Sequence, residues 1–352
     1  NCVVHLIMDI KEHAMTANSA YLDLLDLHLS ESLSDMRGMP TQRRRNGRVY
    51  WYDRYRVGTA TKERFLGEDT PELNAKLTAY KACRDDVKAR KERMSSLARI
   101  MTADRFLRLD KTSGSLLSAM AKAGFFRLGG VMIGTYAFRA YEGELGIRLS
   151  VEQGAYTQDI DIAGFEHLSV AISETDQASP KADDIFRDLK FEAVPALPKE
   201  HIWKWTQTKG EAVVEFLSPS FGSEEATKFL PSLGVSAKCL NHLNYLLREP
   251  IDAVLNYGPG ILVKVPSPQR YAIHKLIVSE RRAKGPSPIK ARKDRMQAAL
   301  LITVLAQERP EALWDAYQEA LAEGPKWGAR LESALQKMPE VAGVLYGLKD
   351  AM

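Results

Sequence analysis

Apolar positions recur at helical spacing near the start of the chain. Tyr21, Leu22, Leu24, Leu25, Leu27 and Leu29 make a broad stripe, and the stretch up to Met39 reads as helical. The pattern then switches. Val49-Tyr50-Trp51-Tyr52-Asp53-Arg54-Tyr55-Arg56-Val57 is dominated by aromatic and β-branched residues, which fit a pleated surface, so it predicts a strand. Gly58 turns that strand, Thr61 to Leu66 returns as a second arm, and Gly67 ends the hairpin. Thr70-Pro71-Glu72 places an N-cap residue before a proline at the first helical position, predicting a helix from Pro71 to Met101.

From Phe125 onward short apolar runs alternate with helical patterns. Leu128 to Ile133 reads as a buried strand, Ala137 to Leu145 as a helix, Asp159 to Ala163 and Leu168 to Ile172 as strands, and Lys181 to Leu189 as a helix. Ile202 to Thr206 and Glu211 to Leu217 read as strands joined through Lys209-Gly210. After Pro266 the pattern stays helical: Pro268–Arg282, Pro288–Gln307, Pro310–Leu321 and Trp327–Lys337, each punctuated by Pro or Gly. The order predicts an α/β (α+β) chain in three parts: an N-terminal helical and hairpin extension over 1–110, a mixed-sheet core over 111–266, and a helical part over 267–352.

Composition narrows the class. The 352 residues are 45% hydrophobic and 27% charged, enough apolar surface for a sizeable core, which excludes a disordered, fibrous or disulfide-stapled chain. Mean hydropathy is −0.27, and no apolar run approaches the roughly 18–20 residues of a membrane span. Residues Asn1 to Ile10 do not read as a targeting signal, and Cys2, Cys83 and Cys239 are too scattered for a zinc site or disulfide framework, a usage that suits a reducing cytoplasm.

The 49 Lys+Arg nearly balance the 45 Asp+Glu, so the net +4 names no partner, but the cations are gathered. Arg43, Arg44, Arg45 and Arg48 lead into the aromatic strand, on which Tyr50, Tyr52, Arg54 and Arg56 share a face. That face reads either as an RNA-binding platform or as an amphipathic hairpin packed on helices. The helix after Pro71 carries a second run, Lys81 to Arg93, readable as a solvated face or a nucleic-acid contact, and Arg281 to Arg295 is a third.

The acids that carry chemistry are Asp159 and Asp161. Two apart on a strand, they project to one face, where they repel unless a hard divalent cation such as Mg²⁺ neutralises them; otherwise they are surface acids. Upstream, Gly134-Thr135 ends a strand just before a helix, a place where backbone can approach phosphate, or a turn that merely needs positive φ. Downstream, Glu215 is a lone acid in the apolar strand Val213-Val214-Glu215-Phe216-Leu217, to be paid for by metal, by an ion pair or by an edge position.

Strand-Gly-Thr-helix, then D-x-D, then a third acid resembles the nucleotidyltransferase superfamily of DNA polymerase β type. Gly134-Thr135-Tyr136-Ala137-Phe138 before Thr157-Gln158-Asp159-Ile160-Asp161 is similar to bacterial uncharacterised nucleotidyltransferase-domain proteins. His274-Lys275-Leu276, Arg281-Arg282 and Lys293-Asp294 resemble the pattern of toxin-type nucleotidyltransferases of abortive-infection systems. The resemblance spans residues 125 to 300. It departs from the family's usual form in the long Gly134–Asp159 spacing, in Thr135 for Ser, and in Glu215 where Asp is commoner.

The resemblance implies a catalytic and metal-binding set of Asp159, Asp161 and Glu215, two Mg²⁺ ions, and NTP as substrate, held by Gly134, Thr135, Lys275 and Lys293. It implies transfer of a nucleoside monophosphate with release of pyrophosphate. RNA, including a tRNA 3′ end, is the expected acceptor, contacted by Tyr52, Arg54 and Arg56; a role as a toxin or phage-defence enzyme with an antitoxin partner goes with the resemblance. Two alternatives stand beside it: a protein-nucleotidylating (AMPylating) enzyme, and a non-catalytic module of the same fold that binds RNA or protein.

Overall fold

The structure is a computed structural model that describes residues 10–30, 38–45, 47–57, 60–82, 84–150, 159–164, 177–196, 201–220, 227–283, 285 and 288–351. Helix α1 (Met15–Leu29) buries Ala17, Ala20, Tyr21 and Leu24 in a small cluster with Met94, Ala98 and Met101. Strands β1 (Met39–Arg45), β2 (Arg48–Val57) and β3 (Ala60–Glu68) form an antiparallel sheet. The expected hairpin is present as β2–β3. The arginine run, read as a lead-in, is itself a strand, with Arg43 opposite Tyr50. Cations on such an edge discourage further strand pairing. The helix expected from Pro71 to Met101 appears as α2 (Pro71–Ala82) and α3 (Arg84–Ala103), on either side of residue 83. Gly58 and the strand expected at 168–172 lie outside the described residues.

The core begins with α4 (Lys111–Ala123). Asp110 caps it by accepting from the Ser113 N–H at 3.0 Å, and Gly124 ends it at φ +92°. Next come β4 (Gly130–Ile133), α5 (Gly134–Glu144), β5 (Asp159–Gly164), α6 (Ala182–Asp188), β6 (Phe191–Ala193), β7 (Lys204–Gln207) and β8 (Val213–Pro219). After β9 (Thr227–Leu230), β10 (Val235–Leu240) and α7 (Leu243–Leu246), the strands β11 (Ile251–Leu255) and β12 (Ile261–Val265) form a separate hairpin.

The main sheet runs β4-β5-β8-β10-β9, with β7 also on β8 and β6 on β7. It is mixed: β5, β8 and β10 are parallel, whereas β4, β7 and β9 join antiparallel. The fold is therefore α+β. The period of two decides its faces. Ile160, Ile162, Val214 and Phe216 are fully buried on one side, where Phe216 meets Phe125, Phe186 and Trp205. Asp159, Asp161, Val213 and Glu215 alternate with them and face the partly open side.

The chain closes with α8 (Pro268–Ala283), α9 (Pro288–Glu308), α10 (Pro310–Ala322), α11 (Pro325–Gln336) and α12 (Pro339–Ala351). These helices share one apolar core with the sheet, continuous from Leu109 to Leu348. Among the described residues no helix is long and apolar enough to cross a membrane. His13 ties the N-terminal part to the core, bridging Asp104 at 2.7 Å and Glu142 of α5 at 3.2 Å.

Candidate active site

Strand β4 delivers the chain to the site and Gly134 turns it into α5. Gly134 has φ +67°, and a Cβ on it would stand 2.4 Å from Asp161 Oδ2. Only glycine meets both conditions without strain. No side chain caps the start of α5, so its first N–H groups face out of the helix end beside the carboxylate. Thr135 is buried at this end. The Tyr271 hydroxyl donates to the Gly134 carbonyl at 2.7 Å and stands 3.1 Å from Gln297 Oε1, so α8 and α9 hold the turn from behind.

The register places the three acids together. Asp161 lies beside Ile133 of β4 on one side and beside Glu215 of β8 on the other, with Asp159 beside Val213. Neighbours across a parallel pair share a face, so the carboxylates of Asp159, Asp161 and Glu215 all project to the open side. Burial, then the charges of Glu215 and Asp159 beside it, raise the Asp161 carboxyl to about 6 against the pull of Lys275 and Arg282.

Lysines stand over two of these acids. Lys204 of β7, opposite Glu215 in register, reaches its Oε1 at 2.8 Å, and Lys290 of α9 approaches Asp159 Oδ2 at 3.5 Å. Lys290 belongs to the basic run noted in the sequence. Lys204 was not singled out there; opposite register to Glu215 makes it visible only once β7 and β8 are paired. Tyr271 and Gln297 were likewise hidden, because their role depends on helix packing.

Lys275 and Lys293 both come to the site, in different states. Lys275 is almost fully buried and pairs with buried Asp294 at 2.6 Å, and Arg282 reaches the other oxygen of Asp294 at 2.6 Å. Lys293 is held down to about 8, by burial and then by repulsion from Lys275, with Asp294 and Asp159 pulling the other way and Lys290 adding repulsion. His274 is buried, its imidazole pushed down to about 3 by burial and the surrounding cations.

Tyr52, Arg54 and Arg56 share the outward face of the β1–β3 sheet, which is separate from the sheet that carries the acids. Tyr52 meets Phe65 edge-on with ring centroids 5.5 Å apart, and Arg54 lies 4.0 Å from Glu63, which also pairs with Arg43 at 2.8 Å. Trp51 and Asp53 alternate to the inner face and are buried. The sheet is linked to the core by Lys62 and Asp188, 3.4 Å apart.

Among the described residues, no group of three His, Cys, Asp or Glu side chains stands close enough to grip one metal ion. Asp159 and Glu215 are each drawn toward a lysine instead. The donor set nonetheless suits a hard divalent cation: carboxylate oxygens only, on adjacent strands and one face, whose mutual repulsion such a cation would relieve.

A family model described as nucleotidyltransferase matches residues 111–322, from the first residue of α4 to the last of α10. Among solved structures, the chain is similar to an antigenic nucleotidyltransferase-like protein from Paracoccidioides brasiliensis. That crystal structure is 14% identical, with a TM-score of 0.35, and the match covers 68% of this chain and 94% of that one. None of the curated proteins matches the chain.

Proposed function

The chain belongs to the nucleotidyltransferase family, and from that premise we propose that it transfers a nucleoside monophosphate from an NTP to a hydroxyl group of RNA in a Mg²⁺-dependent reaction. The observation that carries this reading is the single face on which Gly134, Asp161, Asp159 and Glu215 converge. A fold without chemistry has no physical need to keep three repelling carboxylates there.

Asp159 and Asp161 would hold Mg²⁺, and Glu215, released by Lys204, would join them for a second ion. Bound there, Mg²⁺ supplies neutralisation of the triphosphate and polarisation of the acceptor hydroxyl. The residues of the chain do the positioning. Gly134 admits the outer phosphates to the start of α5, where N–H groups and Thr135 are donors. Lys293 and Lys290, on the first turns of α9, face the departing charge. Lys275, fixed by Asp294, sets the local field from its buried position. The acceptor oxygen bonds to the α-phosphorus, the bond from that phosphorus to the bridging oxygen breaks, and pyrophosphate leaves. The hydroxyl proton passes to the carboxylate cluster.

RNA is favoured as acceptor by the β1–β3 face, where Tyr52, Phe65, Arg54 and Arg56 combine stacking surfaces with cations. A role as a toxin or defence enzyme rests on the resemblance carried by the run from His274 to Asp294. The test is incubation with α-³²P-labelled NTP, Mg²⁺, total RNA and cell lysate. Label in RNA is the expected result. Label in protein would move the acceptor to a polypeptide, and no label would leave a binding module.

A further inference from the structure

We infer that Trp203, Lys238 and Phe229 form the floor on which the 3′-terminal nucleotides of a single-stranded RNA acceptor are seated; this rests on the transferase reading above. The argument starts from sheet order. Gly134 ends β4, the acids lie on β5 and β8, and β7 and β10 flank the far side of β8. In-line displacement at phosphorus puts the attacking and leaving oxygens on opposite sides. With the leaving phosphates at Gly134, the acceptor must approach across β8 from the β7–β10 side.

That side carries aromatic rings and a cation. Trp203 directly precedes Lys204, and its carbonyl accepts from the Phe216 N–H at 2.8 Å, next to Glu215. Lys238 lies beside Leu217, two residues beyond Glu215 and on the same face. Its ammonium stands 5.5 Å from the centre of the Trp203 ring. Phe229, on the edge strand β9, lies opposite Ser236, shares the face of Lys238, and is 57% exposed. Strand spacings of ~4.8 Å and ~3.3 Å per residue bring Trp203 and Lys238 to within roughly 10 Å of the Glu215 backbone. Rings that stack on bases next to an ammonium that meets phosphate are the elements of single-strand recognition.

The test is fluorescence anisotropy of a 5′-labelled single-stranded RNA oligomer, intact or with an abasic 3′-terminal residue, on the full chain. Wild type should bind the intact oligomer more tightly. Trp203→Ala and Phe229→Ala should each weaken it about tenfold while changing the abasic oligomer far less. Trp203→Phe should restore binding, and affinity for a fluorescent NTP analogue should be unchanged throughout. Equal weakening of both oligomers, no weakening, or loss confined to the NTP analogue would each overturn the inference, as would failure of wild type to bind the RNA. Pyrophosphate release, read separately, reports on the transferase reading: if it is absent while the anisotropy pattern holds, that reading fails and the floor stands.

Discussion

Gly134 and Asp161 are set so closely that a single methyl group between them would stand 2.4 Å from the carboxylate oxygen. The side chain of Asp161 can swing away from such an intruder, so the cost falls on its position. Gly134→Ala should lower stability by only about 1–2 kcal/mol, the strain of an L-residue at positive φ. Nucleotide transfer should fall at least about a hundredfold, because misplacing a catalytic group by an ångström has that scale of effect. Thermal melting and steady-state kinetics on one preparation separate the two.

Lys204 holds the Glu215 oxygen that the proposed metal ion would have to take. The pair is about a third exposed, so it contributes ~1 kcal/mol or less to stability. Lys204→Met should therefore leave the melting temperature nearly unchanged and lower the Mg²⁺ concentration for half-maximal activity several-fold. A magnesium titration of pyrophosphate release checks this, and a raised requirement would show that Lys204 assists the metal site.

Legibility in the sequence followed the range of the interactions. Asp159 and Asp161 could be placed on one face because the period of two is local, and the Gly-Thr turn could be seen because glycine at a strand-to-helix junction is a local device. Four of the helices after Pro266 were legible from their proline and glycine punctuation, although the fourth begins at Pro325 and not at Trp327, and the last helix, α12, was not. The strands β9 and β10 and the hairpin β11–β12 were not legible either, since strands of four to six residues are too short to establish a period of two on their own. Lys204 belongs to the site through register with Glu215, and Tyr271 through the packing of α8 on α5; neither is encoded within any short window. The arginine run of β1 was hidden for another reason: its composition is poor for a strand, and pairing with β2 overrides it.

Asp294 holds two cations inside the helical layer, Lys275 at 2.6 Å and Arg282 at 2.6 Å. Asp294→Asn leaves the buried Lys275 ammonium without its counter-charge, a change that costs about 3–5 kcal/mol. Urea denaturation should register that loss. In the folded fraction the KM for NTP should rise, since Lys275 no longer has a fixed place.

Two histidines predict an acid limit. His274 is pushed down to about 3 by burial, then by Lys275, His242, Arg281 and Arg282; His242 is pushed down to about 4 by burial, Arg281 and Arg330. In the unfolded chain both titrate near 6.5. A lowered histidine pKa means that the unfolded state binds more protons, so stability is full above 6.5 and is lost as pH falls from 6.5 toward 4 and 3. At about 1.4 kcal/mol per unit, His274 alone sets an upper bound of order 3–5 kcal/mol. Melting temperature against pH should decline over that window, and His274→Gln, which does not titrate, should flatten the decline.

The central claim is that Asp159 and Asp161 carry Mg²⁺-dependent nucleotidyl transfer. The most direct measurement is the rate of pyrophosphate release from NTP with RNA and Mg²⁺, comparing wild type with Asp159→Asn and Asp161→Asn. Wild type should release pyrophosphate only when Mg²⁺ is present, and each variant, folded by circular dichroism, should lose at least about three orders of magnitude in rate, as removal of a group that stabilises transition-state charge does. A variant that is folded and still releases pyrophosphate at the wild-type rate would contradict the account.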